Sequence, residues 1–291
     1  MKAVSFDFRR ARSAAEACAL LAEHGGDVKL IAGGQSLVPM MAMRLARPAF
    51  LVDINDAVDL QGITGDGDAV VVGAAVRQSR IERHAALAAK LPLLRKALRW
   101  VGHLQTRNRG TVGGSIVHAD PSAELPLVAC LLDATLVLRS AAGEAEIPAR
   151  EFVLAPMVTA ISLDQCLAAI RFPVWRDTRV GCAFDEVSLR HGDFAIVAAA
   201  AQVAVDSAGR CLRAALGTAS APIPRSHHEI ANRLAGTNLD DAVIEAAADE
   251  VRRAVEPDAD LHASADYRRH LAGVLTRRVL GAARDEARQR P

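Results

Sequence analysis

The sequence predicts an α+β protein, and two observations support this fold class. Along the first 175 residues, short apolar segments of strand length alternate with segments of helical periodicity. From about residue 178 the order changes to three strand-like segments and then three helices, which is typical of an α+β unit. We therefore expect three units, at 1–57, 58–175 and 178–291.

The first unit begins with a strand-like segment at 3–8. Ser13 is a candidate N-cap of the following helix, because Glu16 stands three residues later and completes a capping box. Gly25 and Gly26 end that helix. The remaining elements expected in this unit are a buried strand at 28–31, a helix at 35–45 and a strand at 50–54.

The second unit opens with a hairpin whose strands, 60–64 and 69–73, flank the turn 65–68. Residues 77–101 have helical periodicity, and Pro92 begins a second helical segment within them. After a glycine-containing loop, the elements expected are a helix at 124–133, a hairpin with strands at 135–139 and 144–148, and a strand at 166–172.

The C-terminal unit contains strand-like segments at 183–190, 195–205 and 211–220, separated by polar turns. Three helices follow, at 226–234, 240–256 and 264–283. The pattern predicts a three-stranded meander with a group of helices after it.

Composition narrows the function classes. The 291 residues carry 35 Lys plus Arg against 34 Asp plus Glu, so nothing indicates binding to nucleic acid or to an anionic membrane. No apolar run reaches transmembrane length, and Asp7, Arg9 and Arg10 interrupt any signal-peptide core. We expect a soluble, cytoplasmic chain.

Five cysteines are widely spaced without a CxxC motif, so we expect buried, reduced thiols and no iron–sulfur or zinc site. No group of His, Cys and Asp residues has metal-ligand spacing, and no catalytic acid–base constellation is visible. His118 is interpreted as a packing residue rather than a catalytic base.

Two segments with paired glycines are the candidate binding elements. The first glycine segment is Ala32, Gly33, Gly34, Gln35, Ser36 and Leu37, and the second glycine segment is Thr111, Val112, Gly113, Gly114 and Ser115. Paired glycines permit positive φ and close approach to a ligand, and exposed amides bind anionic oxygens. Either segment alone also fits an ordinary turn, and neither matches a Walker A loop or GxGxxG. Together they suggest one ligand with two phosphates.

AGGQSL at 32–37, TVGGS at 111–115 and ADPSAELP at 119–126 resemble the FAD-binding medium subunit of molybdenum hydroxylases. That group includes the carbon monoxide dehydrogenase flavoprotein and the flavin domain of xanthine dehydrogenase, and the resemblance covers nearly the whole chain. It implies a two-subdomain FAD-binding domain of the PCMH/vanillyl-alcohol-oxidase-like type. A C-terminal domain with a three-stranded antiparallel sheet and a helical bundle follows in this group.

The resemblance also implies roles for individual residues. Both glycine segments would bind the FAD diphosphate, and Glu124 would accept hydrogen bonds from the adenosine ribose. Glu124 also fits a first-turn acid that complements a helix dipole, and Asp120 is a weaker candidate beside it.

For several other residues the sequence leaves two alternative roles open. Phe194 either packs at the flavin or sits at a hairpin tip. Asp185 stands where xanthine dehydrogenase has a lysine beside the flavin, which argues against NAD chemistry. Arg107 and Arg109 either offset phosphate charge or lie at the surface. Asp53 and Asn55 either face a ligand or end a solvated strand.

By this resemblance, the chain is the FAD subunit of a heterotrimeric molybdenum hydroxylase. Its partners would be a large molybdopterin-containing subunit and a small subunit with [2Fe-2S] clusters, typically as a dimer of heterotrimers. Two alternatives stay open. A self-sufficient FAD-dependent oxidase or dehydrogenase would need its own substrate pocket, and an assembly scaffold without FAD would not need intact glycine segments.

Overall fold

The computed structural model describes residues 2–220 and 222–290, and its architecture confirms the predicted α+β class. The first sheet has three parallel strands in the order β1-β3-β2. These strands are β1 (Asp7–Arg10), β2 (Val28–Ile31) and β3 (Phe50–Asp53). The helices of this unit are α1 (Ala14–His24) and α2 (Leu37–Ala42), with a 3-10 turn at Gly25–Asp27. A second 3-10 turn, Val58–Leu60, begins the next unit.

The start of α1 confirms the predicted cap. The Ser13 hydroxyl accepts a hydrogen bond from the Glu16 N–H at 3.1 Å, and the Glu16 carboxylate accepts one from the Arg12 N–H at 2.7 Å. In contrast, α2 is shorter than the predicted helix 35–45, because Arg44 adopts a left-handed conformation with φ of 61°.

The second unit is built on a five-stranded antiparallel sheet in the order β4-β5-β10-β6-β7. Its strands, with a separate small pair β8 and β9, are β4 (Ile63–Asp66), β5 (Ala69–Gly73), β6 (Thr135–Ser140), β7 (Gly143–Pro148), β8 (Val153–Ala155), β9 (Val158–Thr159) and β10 (Cys166–Pro173). Its helices are α3 (Gln78–Arg83), α4 (Ala85–Lys90), α5 (Pro92–Leu98), α6 (Leu104–Arg109), α7 (Val112–His118), α8 (Glu124–Leu131) and α9 (Ala149–Phe152).

The helical region 77–101 contains three helices rather than the two predicted segments. The ring of His84 caps α4 by accepting from the Leu87 N–H at 3.3 Å, and Pro92 begins α5. The glycine-containing loop that the sequence predicted contains α6 and α7. A helix forms there because the Thr111 hydroxyl caps it, accepting from the Gly114 N–H at 3.0 Å.

The C-terminal sheet has four antiparallel strands, one more than predicted. They are β11 (Val180–Ser188), β12 (Ala195–Val205), β13 (Cys211–Ala219) and the two-residue β14 (Arg225–Ser226). The helices are α10 (His228–Arg233), α11 (Asp241–Ala254) and α12 (Ala265–Gln289). Throughout residues 2–220 and 222–290, no helix combines the length and apolarity needed to cross a membrane.

Strand β12 is buried along its whole length because other elements cover both faces of its sheet. Ala198 and Ala200 share a hydrophobic core with Leu127 of α8, in the second unit. Ala199 shares a separate core with Leu275 of α12. This double burial explains the unbroken apolar run at 195–201, and it joins the C-terminal unit to the second unit.

Candidate functional site

An open cleft of about 570 Å³ lies at the carboxyl ends of two parallel strands. Ile31 ends β2 and Asp53 ends β3, and both residues line the cleft. Ligands of parallel α/β sheets commonly bind at this edge. The cleft is lined by Phe8, Ile31, Ala32, Gly33, Gly34, Gln35, Val38, Pro39, Asp53, Asn55 and Arg109.

The first glycine segment supplies one wall of this cleft. Within the described residues, the backbone N–H groups of Gly33, Gly34, Gln35 and Ser36 donate to no protein acceptor. Gly34 has a φ of 72°, a conformation that glycine adopts without steric penalty. Successive amides around such a residue form a concave site for an anionic oxygen. The donor set therefore fits a phosphate group.

The first segment touches the chain that leads into the second. A β-carbon added to Gly33 would overlap the carbonyl oxygen of Arg109 and stand 2.8 Å from the Gly110 α-carbon. Glycine is required at position 33 for this close approach of two backbones. Arg109 thereby reaches the same cleft as Gly33 and Gly34.

A hydrogen-bonded relay joins the same two parts of the chain. The side-chain nitrogen of Asn55 donates to the Ala32 carbonyl at 2.8 Å and to the Asp53 carboxylate at 2.5 Å. Its side-chain oxygen accepts from the Arg77 guanidinium at 2.5 Å, and the same guanidinium donates to the Arg109 carbonyl. Asn55 therefore faces the cleft, and Arg77 is a site residue that the sequence did not reveal.

The second glycine segment lies at the start of α7, and its backbone donors are already engaged. The Val112 N–H donates to the Val76 carbonyl at 3.1 Å, and the Gly113 N–H donates to the Ala74 carbonyl at 2.9 Å. The Gly114 N–H donates to the Thr111 hydroxyl, so the side-chain donor that this segment can offer a ligand is the partly exposed hydroxyl of Ser115, beside the exposed backbone of Gly114.

The paired glycines are needed at their positions for different structural reasons. Gly34 has positive φ, whereas Gly33, Gly113 and Gly114 do not. Gly113 packs against β5, because a β-carbon there would overlap that of Ala74. The prediction of a positive-φ turn is therefore right for the first segment and wrong for the second.

The structure assigns different roles to Arg107 and Arg109, for which the sequence left the same two alternatives open. Arg107 pairs with Glu82 at 3.0 Å and donates to the Val101 carbonyl at 3.0 Å, which is a structural role. Arg109 instead lines the cleft, where its charge can attract an anion. It also lies near Arg77, and burial followed by the charge of Arg109 lowers the pKa of Arg77.

Glu124 begins α8 and is 9 % exposed. Burial, more than the nearby charge of Asp120, raises the pKa of its carboxyl to about 7. The Asp120 side chain accepts from the Ser122 N–H at 2.8 Å and shapes the turn before this helix. Neither acid lines the open cleft beside the first glycine segment.

A second buried acid, Glu186, was missed in the sequence. It is 5 % exposed, and within the described part of the chain both of its carboxyl oxygens are without a hydrogen-bond partner. Burial, with smaller effects of the charges on Glu124 and Asp185, raises its pKa to about 9. Glu186 pairs in register with Ala198, whose core includes α8, so it faces the second unit.

Asp185 lies on the other face of β11. Its carboxylate is 3.6 Å from a guanidinium nitrogen of Arg278 on α12. It pairs in register with Ala199, which belongs to the core beneath α12. The face of β11 toward the second unit therefore carries Glu186, and Asp185 lies on the face toward α12.

Phe194 is 73 % exposed at the end of the β11–β12 turn and does not line the cleft. The turn itself rests on the second unit. Gly192, with φ of 86°, lies against the ring of His103, and the His191 ring meets Trp100 edge-on with centroids 5.9 Å apart. The hairpin tip thus reaches the chain just before α6, with an aromatic side chain uncovered.

All five cysteines are buried and form no disulfide, as expected for reduced thiols. The Cys18 and Cys166 sulfurs lie 3.5 Å apart, where α1 of the first unit packs on β10 of the second. The cleft residues Phe8 and Val38 were not predicted from the sequence, because exposed apolar side chains at strand and helix ends have no distinctive pattern.

Comparisons with known proteins match both parts of the chain. Residues 4–175 match a family model described as the FAD binding domain in molybdopterin dehydrogenase. Residues 182–283 match one described as the CO dehydrogenase flavoprotein C-terminal domain. These two matches span the sheets and helices that surround the cleft.

Similar full-length proteins include the 6-hydroxypseudooxynicotine dehydrogenase complex subunit alpha of Paenarthrobacter nicotinovorans, 39 % identical over 99 % of this chain and 97 % of the relative. The carbon monoxide dehydrogenase medium chain of Afipia carboxidovorans is 37 % identical over 98 % of each chain. Among solved structures, quinoline 2-oxidoreductase from Pseudomonas putida 86 matches with a TM-score of 0.93 and 34 % identity, over 99 % of this chain and 100 % of that one.

Proposed function

Because the chain belongs to the family of FAD-binding medium subunits of molybdenum hydroxylases, we propose that it carries electrons through FAD within a heterotrimeric complex. In this proposal, electrons come from the [2Fe-2S] clusters of a small partner subunit and leave to an external acceptor. A large molybdopterin-containing partner would oxidise the substrate. When bound, FAD supplies the conversion between one-electron and two-electron transfer.

The observation that carries the proposal is the set of unsatisfied amides in the first glycine segment. Four consecutive N–H groups, from Gly33 to Ser36, face no protein acceptor in the described residues, and Gly34 has the left-handed conformation of an anion-binding nest. Arg109 adds a positive charge to the same cleft. Backbone amides and an arginine suit a diphosphate, because hydrogen bonds to charged oxygens are the strong ones.

The other site residues have assigned roles in the proposal. Ala32, Gln35 and Leu37 shape the first segment around one phosphate. Thr111, Val112 and Gly113 build the start of α7, so that Gly114 and Ser115 contact the second phosphate. Glu124 accepts from the adenosine ribose, with Asp120 beside it, and Phe194 packs at the edge of the isoalloxazine ring.

The division at 1–57, 58–175 and 178–291 remains part of the proposal, and it is supported by a separate main sheet of three, five and four strands in the respective units. A dimer of heterotrimers and a cytoplasmic location also remain proposals. In this proposal, the substrate of the molybdenum site binds to the large partner. This chain therefore passes electrons to the external acceptor and does not select the substrate.

Purification of the chain with and without its partners tests the proposal. We expect one non-covalent FAD per chain, released into the supernatant by acid precipitation. The chain alone, free of iron and molybdenum, should oxidise neither carbon monoxide nor N-heteroaromatic, purine or aldehyde substrates. Substrate should reduce the FAD only when the [2Fe-2S] subunit is present. Turnover by the isolated chain with an artificial acceptor would instead establish a self-sufficient flavoenzyme, and a colourless chain that binds no added FAD would establish a scaffold.

A further inference from the structure

The Asn55 side chain bonds both to Ala32 of the first glycine segment and to Arg77, and it can make both contacts in only one orientation. Its oxygen accepts from Arg77 at 2.5 Å, and its nitrogen donates to the Ala32 carbonyl at 2.8 Å. Turning the amide over would place NH₂ against the guanidinium and oxygen against a carbonyl, so both contacts would become repulsive. The side-chain nitrogen of Gln61 also donates to the backbone carbonyl of Asn55 at 2.6 Å and holds this residue in place.

Anchoring the Ala32 carbonyl orients the first donor of the nest. The Ala32 C=O and the Gly33 N–H belong to one planar trans peptide, so they point in opposite directions. When Asn55 holds the carbonyl on its side, the Gly33 N–H must point away from Asn55. The direction of this N–H is therefore determined before any ligand arrives.

The guanidinium of Arg77 continues the connection to the other segment. One terminal nitrogen donates to Asn55 and the other to the carbonyl of Arg109, at the point where the chain turns toward α7. A guanidinium is a rigid planar fork, so its two partners stand at a fixed separation. A lysine ammonium cannot reproduce this geometry.

From this relay we propose that Asn55 and Arg77 are positioning residues that hold the two glycine segments at the separation required by one diphosphate. The inference rests on the proposed binding of FAD. It assigns a role to two side chains outside the glycine segments, one two residues after β3 and one at the residue before α3. Pre-organisation of this kind raises affinity, because the ordering is complete before the ligand binds.

The test uses the full chain with its FAD removed, and the dissociation constant of FAD as the readout. Asn55→Ala and Arg77→Met should each weaken FAD binding by about tenfold, the effect of one lost hydrogen bond to a charged group. Because both side chains act in one relay, the double variant should be only slightly weaker than either single variant. Arg77→Lys should resemble Arg77→Met, since the charge without the fork does not position Arg109.

Arg288→Met is a matched control. Arg288 also donates to a backbone carbonyl, that of Asn238 at 2.6 Å, and this contact lies in the C-terminal unit. This variant should bind FAD within about twofold of the wild type. Thermal unfolding of each apo variant separates loss of the fold from loss of positioning.

The outcomes distinguish the inference from the proposed function. If wild-type chain binds no FAD, the proposed function fails. If wild-type chain binds FAD but Asn55→Ala and Arg77→Met bind it equally well, or if Arg77→Lys restores full affinity, the positioning role is overturned. Independent, multiplicative losses in the double variant would also contradict a single relay.

Discussion

Gly33 lies with its α-carbon against the carbonyl group of Arg109, and no side chain fits between them. The contact joins the first unit to the second at the wall of the cleft. It explains why a glycine precedes Gly34 even though Gly34 alone provides the left-handed conformation. The geometry of the cleft therefore depends on one missing methyl group.

Gly33→Ala should lower both FAD affinity and the free energy of unfolding. The added methyl group overlaps backbone rather than a flexible side chain, so the two segments must move apart, at a cost of about 1–3 kcal/mol. Denaturant unfolding and FAD titration measure the two effects. Gly65→Ala is the control, because a β-carbon there meets nothing within 4 Å. Equal behaviour of the two variants would show that the segments are not in close contact.

The neighbouring glycines of α7 should respond differently to the same change. Gly113→Ala overlaps Ala74 and should reduce the free energy of unfolding. Gly114→Ala places its methyl group 2.7 Å from the Thr111 hydroxyl at an exposed position, so we expect it to reduce FAD occupancy more than folding. Gly114→Val should enlarge this effect. Full FAD occupancy in both Gly114 variants would exclude contact between this residue and the cofactor.

FAD affinity should rise with pH as Glu124 ionises. In the free chain burial raises the pKa of Glu124 to about 7, and the carboxylate accepts from two ribose hydroxyls more strongly than the protonated acid does. Binding favours the charged form, so the dissociation constant should fall between about pH 6 and 8. Glu124→Gln should lose this pH dependence, as measured by FAD titration at several pH values. A pH profile unchanged by the substitution would remove Glu124 from the site.

The same residue should distinguish FAD from FMN. Glu124→Ala should weaken FAD binding by about 1.5–3 kcal/mol, the range for hydrogen bonds to a charged group. FMN lacks adenosine and should bind with little change. Equal losses for both ligands would indicate general damage to the start of α8 rather than a lost ribose contact.

Glu186 should reduce stability as the pH rises. Burial raises its pKa from 4.5 to about 9 in the folded chain, so the folded state holds a proton that the unfolded state releases. The stabilising effect of this proton is complete below pH 4.5 and is lost as the pH rises toward 9. Glu186→Gln should therefore gain stability relative to wild type with increasing pH, on the order of a few kcal/mol by pH 9. Urea unfolding of both proteins at pH 5, 7 and 9 measures this, and a constant difference would contradict it.

The sequence predicted most elements because their periodicity and caps are local. Strand β12 matches the predicted segment at both ends, and Ser13 caps α1 as expected. The glycine pair of the first segment predicted a turn with positive φ, and Gly34 has this conformation. The pair of the second segment did not reveal α7, since two glycines in a helix are unfavourable and only the Thr111 cap and the bonds to Val76 and Ala74 offset this.

Residues whose roles depend on contacts between distant parts of the chain have no local sequence signature. Arg77 resembles any polar helix-flanking residue until Asn55 and Arg109, from 22 and 32 positions away, are seen beside its guanidinium. Glu186 resembles any polar residue in an alternating strand, and its burial arises because the second unit covers that face of the sheet. Which face of β11 meets the second unit is decided by tertiary packing, so the sequence could not show that Glu186 rather than Asp185 lies on that face.

The shared core under β12 has a consequence for how the chain can be divided. Severing the polypeptide between residues 173 and 180 would uncover apolar surfaces on both products, including Ala198 on one and Leu127 on the other. Neither fragment should then remain monodisperse by itself, although each corresponds to a separate family match. The boundary between those matches is thus not a hinge, and the whole chain should melt in one cooperative transition.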